Sequence, residues 1–194
     1  MNRPYNPPLV EKWVSDTFIQ AGIFYSSDLQ ADKICKAFGI EFGGHFGISG
    51  SKIINHESFI VIDKRLDVPD QHEQFLHELG HILRHDGDQT NIPQSLREYQ
   101  EWDARLFAMY AAVPFHMINF GQSSTVHSIM DEFNVTRAMA VKRVDDIRQK
   151  TLWEERRRRD KYVPVSTPFS LQNCTDETKR IMAQLSKQTG RKFI

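Results

Sequence analysis

Two histidines four residues apart, with a glutamate directly after the first, are the residues of this chain whose types and spacing could do chemistry. They stand in the stretch His77-Glu78-Leu79-Gly80-His81. On a helix, positions i and i+4 share a face, so both imidazoles can reach one metal ion. Glu78 then projects beside them, where its carboxylate can take a proton from an activated water. Two histidines alone do not make such a site. Hydrolytic zinc takes a third protein ligand and keeps one position open, and its general base is not itself a ligand.

The third donor is sought in the next helical stretch, from about Gln94 to Val113, ahead of Pro114. Its acidic residues are Glu98, Glu101 and Asp103, all within reach if this helix packs antiparallel to the one carrying His77 and His81. Ala104, Ala108, Ala111 and Ala112 permit that close packing. Asp103 sits two residues from Glu101 and faces elsewhere on a regular helix; it suits an acceptor for the other ring nitrogen of a ligand histidine. His85 lies one turn past His81, but Asp86-Gly87-Asp88 follow it, and a cap or solvent-facing role is expected there. His45, His56, His72, His116 and His127 have no comparable spacing. Tyr99 and Tyr110 could place a phenol near the site, although packing with a hydrogen bond at the ring tip is the simpler role.

The elements that must position these groups follow from periodicity. Val10, Trp13, Val14 and Phe18 mark a helix that Gly22 stops; Ser26-Ser27-Asp28 can cap a second, carrying Leu29, Ile34, Ala37 and Phe38 up to Gly39. Ile40-Glu41-Phe42 predicts a short strand. Gly43, Gly44, Gly47 and Gly50 predict a turn-rich stretch without phosphate-loop spacing. Ser58 to Ile62 predicts another strand, with Asn55 and His56 in a loop or strand end. The helix with the histidines starts near Val68-Pro69-Asp70, with Asp67 as a possible cap, and turns Phe75, Leu76, Leu79, Ile82 and Leu83 into the core. Gly80 costs about 1 kcal/mol of helix propensity relative to alanine, a cost that close approach of another backbone would justify.

Beyond Gly121-Gln122-Ser123, two helices joined at Asn134-Val135-Thr136 form a unit at about 123–150. Its helix–turn–helix look raises DNA binding, but Arg137-Ala138-Met139-Ala140 offers few base-reading side chains. The run Glu154 to Arg159 suits a solvated helix end, a linker or a contact for an acidic partner. A last short helix is expected from Asp176 to Lys187.

Composition narrows the class. Lys+Arg and Asp+Glu are both 25 in 194 residues, so the formal charge is zero, which argues against nonspecific nucleic-acid binding by the whole surface. Cys35 and Cys174 form neither a ligand pair nor a disulfide framework. No apolar run approaches a membrane span, and the N-terminus has no signal-peptide core, so a soluble, cytoplasmic protein is expected.

The sequence resembles the ImmA/IrrE family of metallo-endopeptidases. The resemblance is carried by His77–His81 and by Glu101-Trp102-Asp103-Ala104-Arg105-Leu106-Phe107-Ala108, with Pro114 closing that stretch. A weaker similarity covers Ile129 to Thr136, followed by Ala140 and Arg143. Arg105 stands where the family usually has asparagine, and Ala112-Val113 where it usually has leucine-methionine. The resemblance implies His77, His81 and Glu101 as zinc ligands, Glu78 as the catalytic base, and limited cleavage of a helix-turn-helix repressor as the activity.

The expected fold is α+β: a mostly helical zincin-like metallopeptidase domain over 1–150 with a small antiparallel or mixed β-sheet, then a charged linker and short helix over 151–194. The expected cofactor is Zn2+ and the expected partner a protein substrate, with no membrane and no direct nucleic-acid contact. A substrate segment could add as a strand beside Ser58 to Ile62. Two other classes compete: a metal-containing anti-repressor that binds without cutting, and a DNA-binding regulator using Val126 to Arg148 and Arg156 to Arg159.

Overall fold

The computed structural model describes residues 4–85, 92–120, 125–161 and 175–189. Helix α1 (Leu9–Gln20) buries Val14 and Phe18, and the chain leaves it through Gly22 at φ 79°. Ser26–Asp28 forms a single 3-10 turn in place of the expected helix cap, and α2 begins only at Ala31, running to Phe38. Asp28 uses its carboxylate locally, accepting from the backbone N–H groups of Phe24 and Tyr25, which makes the turn a unit of its own. Gly39 ends α2 in the left-handed region at φ 66°, which favours glycine.

Three strands follow: β1 (Ile40–His45), β2 (Gly50–Ile54) and β3 (Glu57–Asp63). Their order is β1-β3-β2, with β3 parallel to β1 and antiparallel to β2, so the sheet is mixed. Two sequence expectations change here. Gly43 and Gly44 lie inside β1, paired with Val61 and Ile62, and not in a turn. β3 is central, so neither of its edges is open to an added strand; the free edges belong to β1 and β2. The β2–β3 hairpin turns at Asn55 and His56, both at positive φ (50° and 68°), the backbone a two-residue turn between twisted strands requires.

Helix α3 (Val68–Arg84) and helix α4 (Gln94–Ala112) then pack together. Asp67 occupies the N-cap position of α3 without a side-chain cap bond, and a proline stands in the first turn. Phe75, Leu76 and Leu79 enter the core with Ile60, Ile62, Phe18 and Phe107. The contact between the helices is close at Gly80. A Cβ there would lie 2.9 Å from Phe107 Cδ1 and 3.3 Å from the Ala104 Cα, so the missing side chain is what admits α4.

Helix α5 (Val126–Phe133) ends at Asn134 in the left-handed region, and α6 runs from Arg137 to Lys161. The helix expected to give way to a linker near 150 thus continues, and Arg156 to Arg159 are exposed residues on it. Ile129, Phe133, Val135, Ala140 and Arg143 are buried. The α5–α6 pair therefore spends its inner face on packing. Helix α7 spans Asp176–Thr189. By its contacts the chain divides into two compact units, Met1–Glu154 and Glu155–Ile194, and the first holds the residues discussed next.

Candidate metal centre

Helix α3 delivers His77 and His81 one turn apart, as the i,i+4 spacing requires, and α4 crosses them with Glu101. His81 Nε2 lies 3.1 Å from His77 Nε2. Glu101 Oε2 lies 3.4 Å from His77 Nε2, and Oε1 lies 3.3 Å from His81 Nε2. These three are the group of histidine and acidic side chains, among the described residues, whose donor atoms converge closely enough for a metal ion.

The separations themselves test the fit. Tetrahedral bonds of about 2.0–2.1 Å place any two ligand atoms about 3.3 Å apart. The nitrogen–nitrogen separation falls near that edge length, each nitrogen has one of the two Glu101 oxygens at a similar distance, and two imidazoles with one carboxylate are a donor set that zinc accepts. Burial pushes the His77 and His81 imidazoles below their ordinary range, so at neutral pH both are uncharged and offer lone pairs.

Glu78 is 9% exposed and is not part of the converging group. Its Oε2 accepts a hydrogen bond of 2.7 Å from Ser51 Oγ, on the free-edge strand β2. Sequence reading missed Ser51, because β2 itself was hidden among glycines. The signal was there in Ile53-Ile54, a β-branched pair directly before the Asn-His turn.

Asp103 and His85 depart from expectation. Asp103 does not touch a ring of the converging pair. It holds Arg84 through two bonds, Nε to Oδ2 at 2.5 Å and Nη2 to Oδ1 at 2.9 Å. Its Oδ2 also lies 3.2 Å from His85 Nε2. His85 is not at the surface: it is 8% exposed, and its Nδ1 lies 3.1 Å from His81 Nδ1. Burial lowers the His85 pKa. Burial alone would raise that of Asp103, but the Arg84 guanidinium and His85 outweigh it and hold the carboxyl below its usual range. The position one turn after His81 was a usable signal, since His77, His81 and His85 repeat every four residues along one face.

The tyrosines are elsewhere in role. Tyr110 OH accepts from Lys150 Nζ at 3.1 Å within a buried polar cluster, and Tyr99 is exposed, its ring tilted against that of Trp102. A cavity of about 400 Å3 is also separate from the converging His77, His81 and Glu101 group; Val68, Gln71, His72 and Phe75 line it from another face of α3. His72 Nε2 is buried without a hydrogen-bond partner there, and burial drives its pKa down to about 4. The unfolded chain therefore takes up a proton near pH 6.5 that the folded chain refuses until about pH 4, and stability falls across that window. Replacing His72 with leucine removes this term. Urea unfolding should show the native protein losing about 2–3 kcal/mol more than His72→Leu between pH 7 and pH 4.5. Equal losses would contradict the burial argument.

No helix among the described residues is long and apolar enough to cross a membrane. The model of the IrrE N-terminal-like domain, a peptidase family, matches residues 35–145, which include every side chain of the cluster. The uncharacterized protein YqaB of Bacillus subtilis (strain 168) is 25% identical over 149 residues, covering 72% of this chain and 84% of that protein. The phage-like element PBSX protein XkdA of the same organism is 29% identical over 143 residues, covering 70% and 71%. With the family match spanning more than half its length and both histidine-bearing and glutamate-bearing helices inside it, the chain belongs to the ImmA/IrrE family.

Proposed function

We propose that this protein is a zinc-dependent endopeptidase that makes limited cuts in a protein substrate, a helix-turn-helix transcriptional repressor. The observation that carries the reading is the convergence of His77, His81 and Glu101 with Glu78 alongside but outside their set. His77, His81 and Glu101 hold the ion. Zinc bound there supplies Lewis acidity, polarising the scissile carbonyl and making a water acidic near neutral pH. Glu78 takes the proton of the attacking water and passes it to the leaving amine nitrogen, breaking the C–N bond. Ser51 holds one Glu78 oxygen, leaving the other to face the reacting water.

The substrate segment lies extended along the open edge of β2, antiparallel pairing there running it past Glu78. This replaces β3 as the docking strand. XkdA is named as a protein of a phage-like element, which supports a regulator of mobile DNA as the target. The buried inner faces of α5 and α6 and the zero formal charge support a protein partner over DNA.

The test combines zinc-loaded protein with a repressor encoded beside its gene. Discrete fragments should form, stop forming under chelation and return with added zinc. Metal analysis should find one zinc per chain, lost in Glu101→Ala and retained, more weakly, in Asp103→Ala. A repressor released from its operator yet left intact would replace cleavage with the binding-only role.

A further inference from the structure

His85 has no place in the proposed chemistry, yet it is buried at the centre of a continuous polar line. The line runs from Arg84 through Asp103 and His85 to His81, and the proton positions along it follow from what each group can do. Both Asp103 oxygens accept from the Arg84 guanidinium, a two-point contact that a carboxylate makes, so they only accept. The hydrogen between Asp103 Oδ2 and His85 Nε2 therefore belongs to the histidine. A neutral imidazole with Nε2–H has a bare Nδ1. That bare nitrogen faces His81 Nδ1 at 3.1 Å, and the pair is a hydrogen bond only if His81 Nδ1 carries the hydrogen. His81 then keeps its lone pair on Nε2, the atom that faces His77 and Glu101.

We infer that His85 is a positioning residue: with Asp103 and Arg84 it fixes His81 in the Nδ1–H tautomer and aims the Nε2 lone pair at the metal position before any ion arrives. The inference rests on the zinc-ligand reading of His81, but it assigns a function to a residue that reading leaves idle. It also explains why a carboxylate two residues from Glu101 points away from the ligand set. The acid acts on the ligand histidine through an intervening ring. Histidine ligands are commonly oriented by a partner on their other nitrogen, and loss of such a partner typically costs about 10–100-fold in metal affinity. His77 has no such line among the described residues, so the two histidines should differ.

The experiment reads the tautomer directly. Nitrogen-15 NMR of the imidazoles in the full-length, metal-free protein at neutral pH should show His81 with a protonated Nδ1 and a bare Nε2. His85→Leu should abolish that preference and weaken zinc binding, measured by competition with a chromophoric chelator, by about 10–100-fold. His85→Gln should restore most of both, because a primary amide can accept from His81 with its oxygen and donate to Asp103 with its nitrogen. Asp103→Asn can present its NH2 to His85 and so reverse the line, putting the His81 hydrogen on Nε2.

A native His81 protonated at Nε2 overturns the inference, and so does a His85→Leu protein with unchanged tautomer and zinc affinity. If His85→Leu fails to fold, the native tautomer and Asp103→Asn still decide. Failure of the zinc reading would look different: the expected tautomer present, with no zinc bound by native protein or variant.

Discussion

Glu78→Gln should leave the protein folded, fully loaded with zinc and able to bind its repressor, while its cleavage rate falls by about 10²–10⁴-fold. Each part follows from where Glu78 sits. It is outside the His77, His81 and Glu101 set, so the ion's ligands are untouched. Glutamine has nearly the same volume and helix propensity, and its amide oxygen can still accept from Ser51 Oγ. What disappears is the basic carboxylate, and with it the proton transfer from water to leaving amine. The loss should appear in kcat, with KM nearly unchanged, because the substrate contacts proposed along β2 would persist. Equal cleavage rates for native protein and Glu78→Gln would falsify the assignment of the base. A variant that loses zinc would instead place Glu78 among the ligands.

The second large effect is on stability. Arg143 is fully buried and donates to Glu11 Oε1, to Asp146 Oδ2 at 2.6 Å and to the Val113 carbonyl at 3.2 Å. Glu11, itself fully buried, also accepts from Tyr5 OH at 3.0 Å and from Lys150 Nζ at 2.7 Å. Arg143→Met removes the central cation and strands part of the Glu11 charge without water. Breaking a buried pair in this way costs about 3–5 kcal/mol, and the remaining Lys150 contact argues for the lower end. Urea unfolding should show that loss, and the double variant Glu11→Leu, Arg143→Met should lose less than the two single changes together. Zinc affinity of the folded protein should stay the same, since the cluster is separate from the metal ligands. A loss below about 1 kcal/mol would mean that the network is redundant.

Much of this architecture was legible because its signals are local. The apolar spacing of Phe75, Leu76 and Leu79, the His77 and His81 repeat, and the alanines of α4 each declare a face within one element. The small residue at Gly80 pointed correctly to a close helix contact. What escaped depended on tertiary neighbours. Ser51 matters only because β2 lies beside α3, and Gly43 and Gly44 read as turn residues because glycine carries no strand signal of its own. His85 was assigned to a helix end by the Asp-Gly-Asp after it, while its burial comes from Asp103 on another helix. The partnership of Glu11 with Arg143 spans 132 positions, beyond any periodicity.

The contact at Gly80 also bears on which ions the protein can tell apart. In the proposed ligand set one helix would supply two nitrogens and the other a carboxylate, so the spacing between helices would set the width of the cage. With no side chain at position 80 against Phe107 and the Ala104 backbone, the helices sit closer than any larger residue there would allow. Calcium, with bonds of about 2.3–2.6 Å and a demand for six to eight oxygens, would need the helices apart and more carboxylates than one. Under the proposed zinc reading, helix spacing set in the core would add to what the ligands themselves select. A methyl group at position 80 would loosen it without altering a single donor.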